Sequence, residues 1–236
     1  MSIINRFVYP LLAIALALHV SGLNAFRVVS NNQLNDGSQA GGGNFFRNET
    51  VERSSTQNYG DRVLTLIASL QSAEDSKRED AERELVKLAL SSSDNRVAVI
   101  NGLLQSVKGI EELNGSHSVI TKSLPYWTAA TIIFAKVKAT EAIPILIRCV
   151  HCSNGYTGTM GEPPASIALV QIGAPAVPQL SKALVTDPNG YKRVKLALCL
   201  GRIGGSKARA ALRRSLRTEP EKDVRAQIKF ILDEME

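Results

Sequence analysis

Two stretches that repeat one another decide the fold: LVQIGAPAVPQLSKAL, from Leu169 to Leu184, and LGRIGGSKARAALRRSL, from Leu200 to Leu216. A third copy, FAKVKATEAIPILIRCV, occupies residues 134–150. Val137, Ile172 and Ile203 hold equivalent places in the three copies, at spacings of 35 and 31 residues. Self-similarity at a period of this size indicates an architecture built from stacked repeats.

Each copy predicts two helices joined by a short break. The second helices are predicted over Ile143–Val150, Val177–Leu184 and Ala208–Leu216. Gly173 and Gly204 stand at the breaks, where the chain must leave a helix tightly. Pro175 is placed to open the helix that follows, because its missing N–H would be unpaired there anyway. The repeat unit is therefore a pair of helices.

Helical patterns also fill residues 61–123. An apolar stripe at helical spacing starts at Val63 and ends at Leu70,. Asp94 is predicted to cap one later helix, and Pro125 to stand in the first turn of another. No stretch shows sustained period-two alternation bounded by hairpin turns, so the sequence predicts an all-α protein.

The motifs AKVKATEAIPIL, VQIGAPAVPQL and GRIGGSKARAAL resemble the HEAT-like repeat family, in particular its short-repeat type, first recognised in phycobilin lyases. The resemblance is strong from Trp127 to Glu236 and weaker before that. It implies an α-α superhelix, or solenoid, of about five helix pairs. One pair cannot bury its apolar face alone, so neighbouring pairs share a continuous core.

The first 25 residues have the order of a secretory signal peptide. MSIINR carries one positive charge, a mostly apolar run follows from Phe7 to Val20, and the small residues of SGLNA place cleavage after Ala25 or Gly22,. A membrane span needs about 20 residues, so a single uncleaved N-terminal anchor is the alternative. Residues 26–60 are predicted to be a flexible linker and 61–236 the HEAT-like domain, in a secreted or periplasmic protein.

Cys149 and Cys152 have the spacing of a redox pair, but the repeat offers a simpler interpretation. Cys149 falls on Ala183 and Ser215, where the repeat places a small residue, and Cys152 follows at the helix exit. Export allows a Cys149–Cys152 disulfide as the alternative. A helix C-terminus disfavours the thiolate of a redox site, and zinc needs about four ligands. We predict no metal site and no cofactor.

No catalytic motif stands out in the sequence. The chain lacks G-x-S-x-G, H-E-x-x-H and a Walker-type phosphate loop,, so we expect a non-enzymatic scaffold. The loop CSNGYTGTMGEPP, residues 152–164, accounts for most of the longer spacing, and insertions in repeat arrays often bind partners. Tyr156 and Met160 are its candidate contact residues. The alternatives are a neutral insertion and an enzyme, or enzyme accessory, with its site at this loop.

The net charge of +6 is concentrated near one end: residues 191–229 contain twelve Lys or Arg and three acidic residues. In the repeat alignment, Arg148, Lys182 and Arg214 hold one equivalent position. Stacking therefore predicts a ridge of cations along one face, for a protein partner or an anionic polymer. A solvated face is the alternative. Nucleic acid is not expected in an exported protein, and membrane contact only through an uncleaved signal.

Overall fold

The structure is a computed structural model that describes residues 60–108, 117–152 and 162–235. The predicted signal peptide and all but the last residue of the predicted linker lie outside these residues. The described residues form ten α-helices and no β-strand, which confirms the all-α prediction. The helices are α1 (60–69), α2 (Asp75–Ser91), α3 (Ser93–Val107), α4 (His117–Lys136), α5 (Ile143–Arg148), α6 (Pro164–Ile172), α7 (Val177–Thr186), α8 (Gly190–Ile203), α9 (Gly205–Thr218) and α10 (Lys222–Asp233).

The helices pack in two layers. In the first layer α2 lies against α4, α4 against α6, α6 against α8 and α8 against α10. In the second layer α5 lies against α7 and α7 against α9, while α3 contacts the 3₁₀ turn that leads into α5. Four complete pairs, α2 to α9, thus lie between the single helices α1 and α10. This is the α-α solenoid of about five pairs that the repeats predicted.

Glycine ends the first helix of two pairs, as predicted. Gly173 and Gly204 follow α6 and α8 with φ values of 82° and 72°, in the region that only glycine adopts without strain. Pro175 differs from its prediction. It lies in the 3₁₀ turn Ala174–Ala176, and Pro178 takes the first-turn position of α7. The second helix therefore begins after one tight 3₁₀ turn.

Two other predicted helix starts are wrong. The N-cap of α3 is Ser92, whose Oγ accepts a hydrogen bond from the Asn95 N–H at 3.1 Å, and Asp94 lies in the first turn. A serine hydroxyl satisfies the open N–H groups of a helix as well as an aspartate does. Pro125 lies inside α4, which starts at His117. Pro125 is exposed, and its ring lacks the N–H that would continue the helical hydrogen bonds at this point.

The apolar core is continuous through both layers and includes every described helix. Close approach between first helices depends on glycine at one point. A Cβ added to Gly201 of α8 would lie 2.4 Å from Cγ2 of Ile231 in α10, far inside van der Waals contact. A larger residue at Gly201 would therefore push α8 and α10 apart.

In α2, α8 and α10, an arginine near the start of the helix bonds to the connection that precedes it. Arg78, Arg193 and Arg225 are each the fourth residue of their helix, in α2, α8 and α10. Each guanidinium donates to the backbone carbonyl oxygen six residues earlier, at 2.6, 2.9 and 2.6 Å respectively. These bonds tie the connection between two repeats to the helix that follows it.

Arg193 is the most buried of the three and also forms an ion pair. Its Nε and Nη2 donate to the two Glu219 carboxylate oxygens at 2.9 and 2.6 Å, and Nη2 donates to Glu221 at 2.8 Å. Burial alone would raise the pKa of Glu219, but the hydrogen bonds from Arg193 and from the Glu221 N–H, together with the charges of Arg193 and Arg225, hold that pKa below its usual value,. Arg193 thus joins α8 to the connection between α9 and α10.

Candidate interaction surface

The predicted cation ridge lies on the second layer of helices. Arg148 is the last residue of α5, Lys182 lies in α7 and Arg214 in α9, and all three side chains are exposed. These helices are consecutive neighbours in the stack. The structure therefore places the three residues at repeated positions on adjoining helices.

The helices α7 and α9 are rich in basic residues and contain no acidic ones. They contain six Lys or Arg residues and no Asp or Glu: Lys182, Lys207, Arg209, Arg213, Arg214 and Arg217. Lys182, Lys207 and Arg214 form no ion pair with another residue of the described part of the chain. In α2, by contrast, Lys77, Arg78 and Arg83 all pair with carboxylates. The charges of Lys182, Lys207 and Arg214 are thus open to a partner.

A groove with a volume of about 310 Å³ runs between α7 and α9. Its wall and floor are mostly apolar, formed by Val177, Pro178, Ala210 and Ala211. Lys207 and Arg214 also line it, seven residues apart on α9. Two helical turns separate such residues by about 10.5 Å along the helix axis. The groove therefore offers apolar contact between two cations.

A second groove, of about 230 Å³, lies between α3 and α5. Lys108 and Arg148 line it, but so does Glu141, whose carboxylate is 3.6 Å from the Arg96 guanidinium. The acid reduces the positive potential of this groove. The groove between α7 and α9 is the more basic of the two.

An exposed apolar row lies on the first layer, which the sequence-based predictions missed. Ile167 in α6, Leu198 in α8 and Phe230 in α10 are 38%, 38% and 60% exposed. The signal was present in the repeat: Ile167 and Leu198 stand five residues before Ile172 and Ile203. Leu198 lies five residues after Arg193 in α8, and Phe230 lies five residues after Arg225 in α10. Single exposed apolar side chains are common on the surfaces of folded proteins.

The cysteines are all buried: Cys149, Cys152 and Cys199. The Cys199 thiol lies 3.9 Å from the backbone carbonyl oxygen of Ser166, and burial raises its pKa to about 11. A thiol with so high a pKa is a poor nucleophile at neutral pH. Cys149 and Cys152 lie in one turn at the exit of α5, where the Cys152 N–H donates to the Cys149 carbonyl at 3.0 Å. The disulfide between them stays the alternative that export would allow.

The predicted contact residues of the edge loop, Tyr156 and Met160, lie outside the described residues. The described parts of the chain hold no cluster of three or more His, Cys, Asp or Glu residues arranged to bind a metal. His151 follows α5, between Cys149 and Cys152. Burial lowers its pKa, and the positive charge of Lys192 lowers it further. No helix among the described residues has the length and apolar character needed to cross a membrane.

Residues 165–231 match the family described as HEAT repeats. The match covers α6 to α9 and most of α10, so it includes both the basic groove and the apolar row. No curated protein matches the sequence. HEAT repeats in general mediate protein–protein interactions. The fold and the match together indicate a helical repeat scaffold similar to HEAT repeats.

Proposed function

We propose that the protein is an exported, non-enzymatic HEAT-like scaffold that binds a protein or an acidic polymer through its second layer of helices. The observation that carries the proposal is the repeated cation: Arg148, Lys182 and Arg214 at one position on α5, α7 and α9, all exposed. Exposed cations at repeated positions attract an extended anionic partner more than scattered ones would, because their fields add. The absence of acids from α7 and α9 supports the same conclusion.

Binding to anionic polymers tests this function. Poly-glutamate and heparin serve as probes, with wild type compared to Arg148→Ala, Lys182→Ala and Arg214→Ala combined. Exposed ion pairs contribute about 0.2–1 kcal/mol each, so the triple variant should bind roughly tenfold more weakly. Wild-type affinity should fall with added salt, because salt screens exposed charges beyond about 8 Å at physiological ionic strength.

A control with three substitutions of other exposed cations separates position from net charge. Lys87→Ala, Lys222→Ala and Lys229→Ala remove the same charge from α2 and α10, at residues that are also exposed. The control should bind close to wild type. Equal binding by wild type and the Arg148, Lys182 and Arg214 variant, or binding insensitive to salt, would contradict the proposed function.

Export is part of the same proposal and rests on the sequence of residues 1–25. The resemblance to the short repeats of phycobilin lyases is one of repeat form only, so it does not predict bilin chemistry for this chain. The intact mass of protein recovered outside the cytosol should place its N-terminus at Phe26 or Leu23. Recovery of a membrane-bound protein that retains Met1 would support the anchor instead.

A further inference from the structure

The groove between α7 and α9 joins two features that a purely anionic polymer would not use together. Lys207 and Arg214 supply charge, while Ala210 and Ala211 lie between them on the same side of α9. Residues spaced i, i+3, i+4 and i+7 share one face of a helix. Along α9 this face therefore presents a cation, then two apolar residues, then a second cation, over about 10.5 Å.

The opposite wall of the groove, from α7, carries no charge. Val177 and Pro178 line it, and the Ser181 hydroxyl donates to the Val177 carbonyl oxygen at 2.6 Å. That proton is therefore already engaged within α7. Apolar groups on both walls gain free energy only when an occupant covers them with apolar surface, by about 25 cal/mol per Å².

We propose that this groove binds an acidic amphipathic helix of a partner protein, an inference that rests on the proposed function and names the partner's chemistry. The complementary pattern is Glu-x-x-Leu-Leu-x-x-Glu: two apolar residues enter the groove, and a carboxylate on each side meets Lys207 or Arg214. A helix lying along α9 repeats the 10.5 Å spacing of the two cations, because both helices rise about 1.5 Å per residue. Helix-in-groove recognition uses anchors at these spacings.

Charge complementarity selects this occupant over a basic or neutral helix. The two helices that form the groove carry six cations and no carboxylate. The groove at α3 and α5 has similar apolar lining but includes Glu141, which would repel the flanking carboxylates. The acidic helix should therefore prefer the α7–α9 groove.

Three synthetic peptides test the inference, each on the order of 20 residues so that a helix can form. The first carries the Glu-x-x-Leu-Leu-x-x-Glu pattern, the second replaces both leucines with serine, and the third has the composition of the first in scrambled order. Binding is measured by fluorescence anisotropy, with poly-glutamate as a fourth probe. We expect the first peptide to bind at least about tenfold more tightly than the other two, since partial burial of two leucines exceeds 1.4 kcal/mol.

Two variants separate the apolar contact from the charge. Ala210→Gln fills the groove without changing net charge, at an exposed helical position that tolerates glutamine,. It should bring the first peptide down to the affinity of the serine peptide and leave poly-glutamate binding unchanged. Lys207→Ala with Arg214→Ala should weaken all four probes. The charge-matched control, Lys87→Ala with Lys229→Ala, should bind as wild type does.

The outcomes distinguish the inference from the function on which it rests. Equal affinities for the leucine and serine peptides, or no effect of Ala210→Gln, would overturn the helix proposal while salt-sensitive poly-glutamate binding keeps the scaffold function. Failure of wild type to bind any probe at low salt would overturn both. Circular dichroism of each variant confirms that a loss of binding is not a loss of fold.

Discussion

The buried arginine of α8 allows the sharpest test of how the repeats are held together. Arg193 and Glu219 have side chains only 6% and 2% exposed, and they meet through two hydrogen bonds of 2.9 and 2.6 Å. Arg193→Ala removes both bonds and leaves the Glu219 carboxylate buried. The Asp187 carbonyl oxygen also loses its donor, which lies at 2.9 Å.

The expected destabilisation follows from that burial. Removing one partner of a buried ion pair costs about 3–5 kcal/mol, because the remaining charge has lost its compensation. The additional pair with Glu221 contributes little, since the Glu221 side chain is 53% exposed and exposed pairs are worth about 0–1 kcal/mol. The melting temperature should fall by roughly 6–20 °C, at about 2–4 °C per kcal/mol for a domain of this size.

Arg225→Ala is the matched control, because Arg225 has the same position in α10. It donates to the backbone carbonyls of Glu219 and Pro220 at 2.6 and 2.8 Å and is less buried than Arg193. Its loss should cost about 1–2 kcal/mol. Urea unfolding followed by circular dichroism measures both variants at neutral pH. A loss for Arg193→Ala no greater than that for Arg225→Ala would refute the argument that the buried ion pair fastens α8.

Three further predictions concern acidity, packing and the thiols. The lowered pKa of Glu219 gives stability that is present above the unfolded pKa, about 4.3, and is lost as the pH falls through the lower folded pKa. The difference in free energy of unfolding between wild type and Arg193→Ala should therefore become smaller when unfolding is measured at successively lower pH. Gly201→Ala should cost about 1–3 kcal/mol through overpacking, whereas Gly60→Ala, with no atom within 4 Å of its added Cβ, should change stability by less than about 0.5 kcal/mol in the same urea assay. Cys149→Ala with Cys152→Ala should keep the helical fold by circular dichroism, and alkylation of denatured, unreduced wild type should modify both thiols; protection of the pair from alkylation would establish the disulfide.

Much of the fold could be predicted because its signals are local. Gly173 and Gly204 ended helices where the repeat placed them, since their φ values of 82° and 72° favour glycine,. The helix starts predicted at Asp94 and Pro125 were wrong for two reasons. Ser92, two residues before Asp94, has similar capping strength,, and an exposed proline can lie inside a helix, as Pro125 does. Local propensity sets where helices form more firmly than where each begins.

The candidate site was only partly readable from the sequence. The equivalence of Arg148, Lys182 and Arg214 follows from the repeat period, but the groove depends on which residues of α7 and α9 face each other. The row of Ile167, Leu198 and Phe230 was hidden for the same reason: an apolar residue in a helix predicts a buried face until packing shows that other residues fill the core.

The sequence by itself determined the helix pairs and the glycine breaks, because each arises from residues within a few turns of one another. It also determined the period and the repeated cations, because the copies of the repeat align with one another. Only the tertiary structure decided that Arg193 meets Glu219, 26 positions further along the chain, and that Lys207 and Arg214 flank an apolar groove. Helix pairing and burial bring together residues that no local pattern connects. Stacking helices against one another determines which side chains are buried, paired or left for a partner.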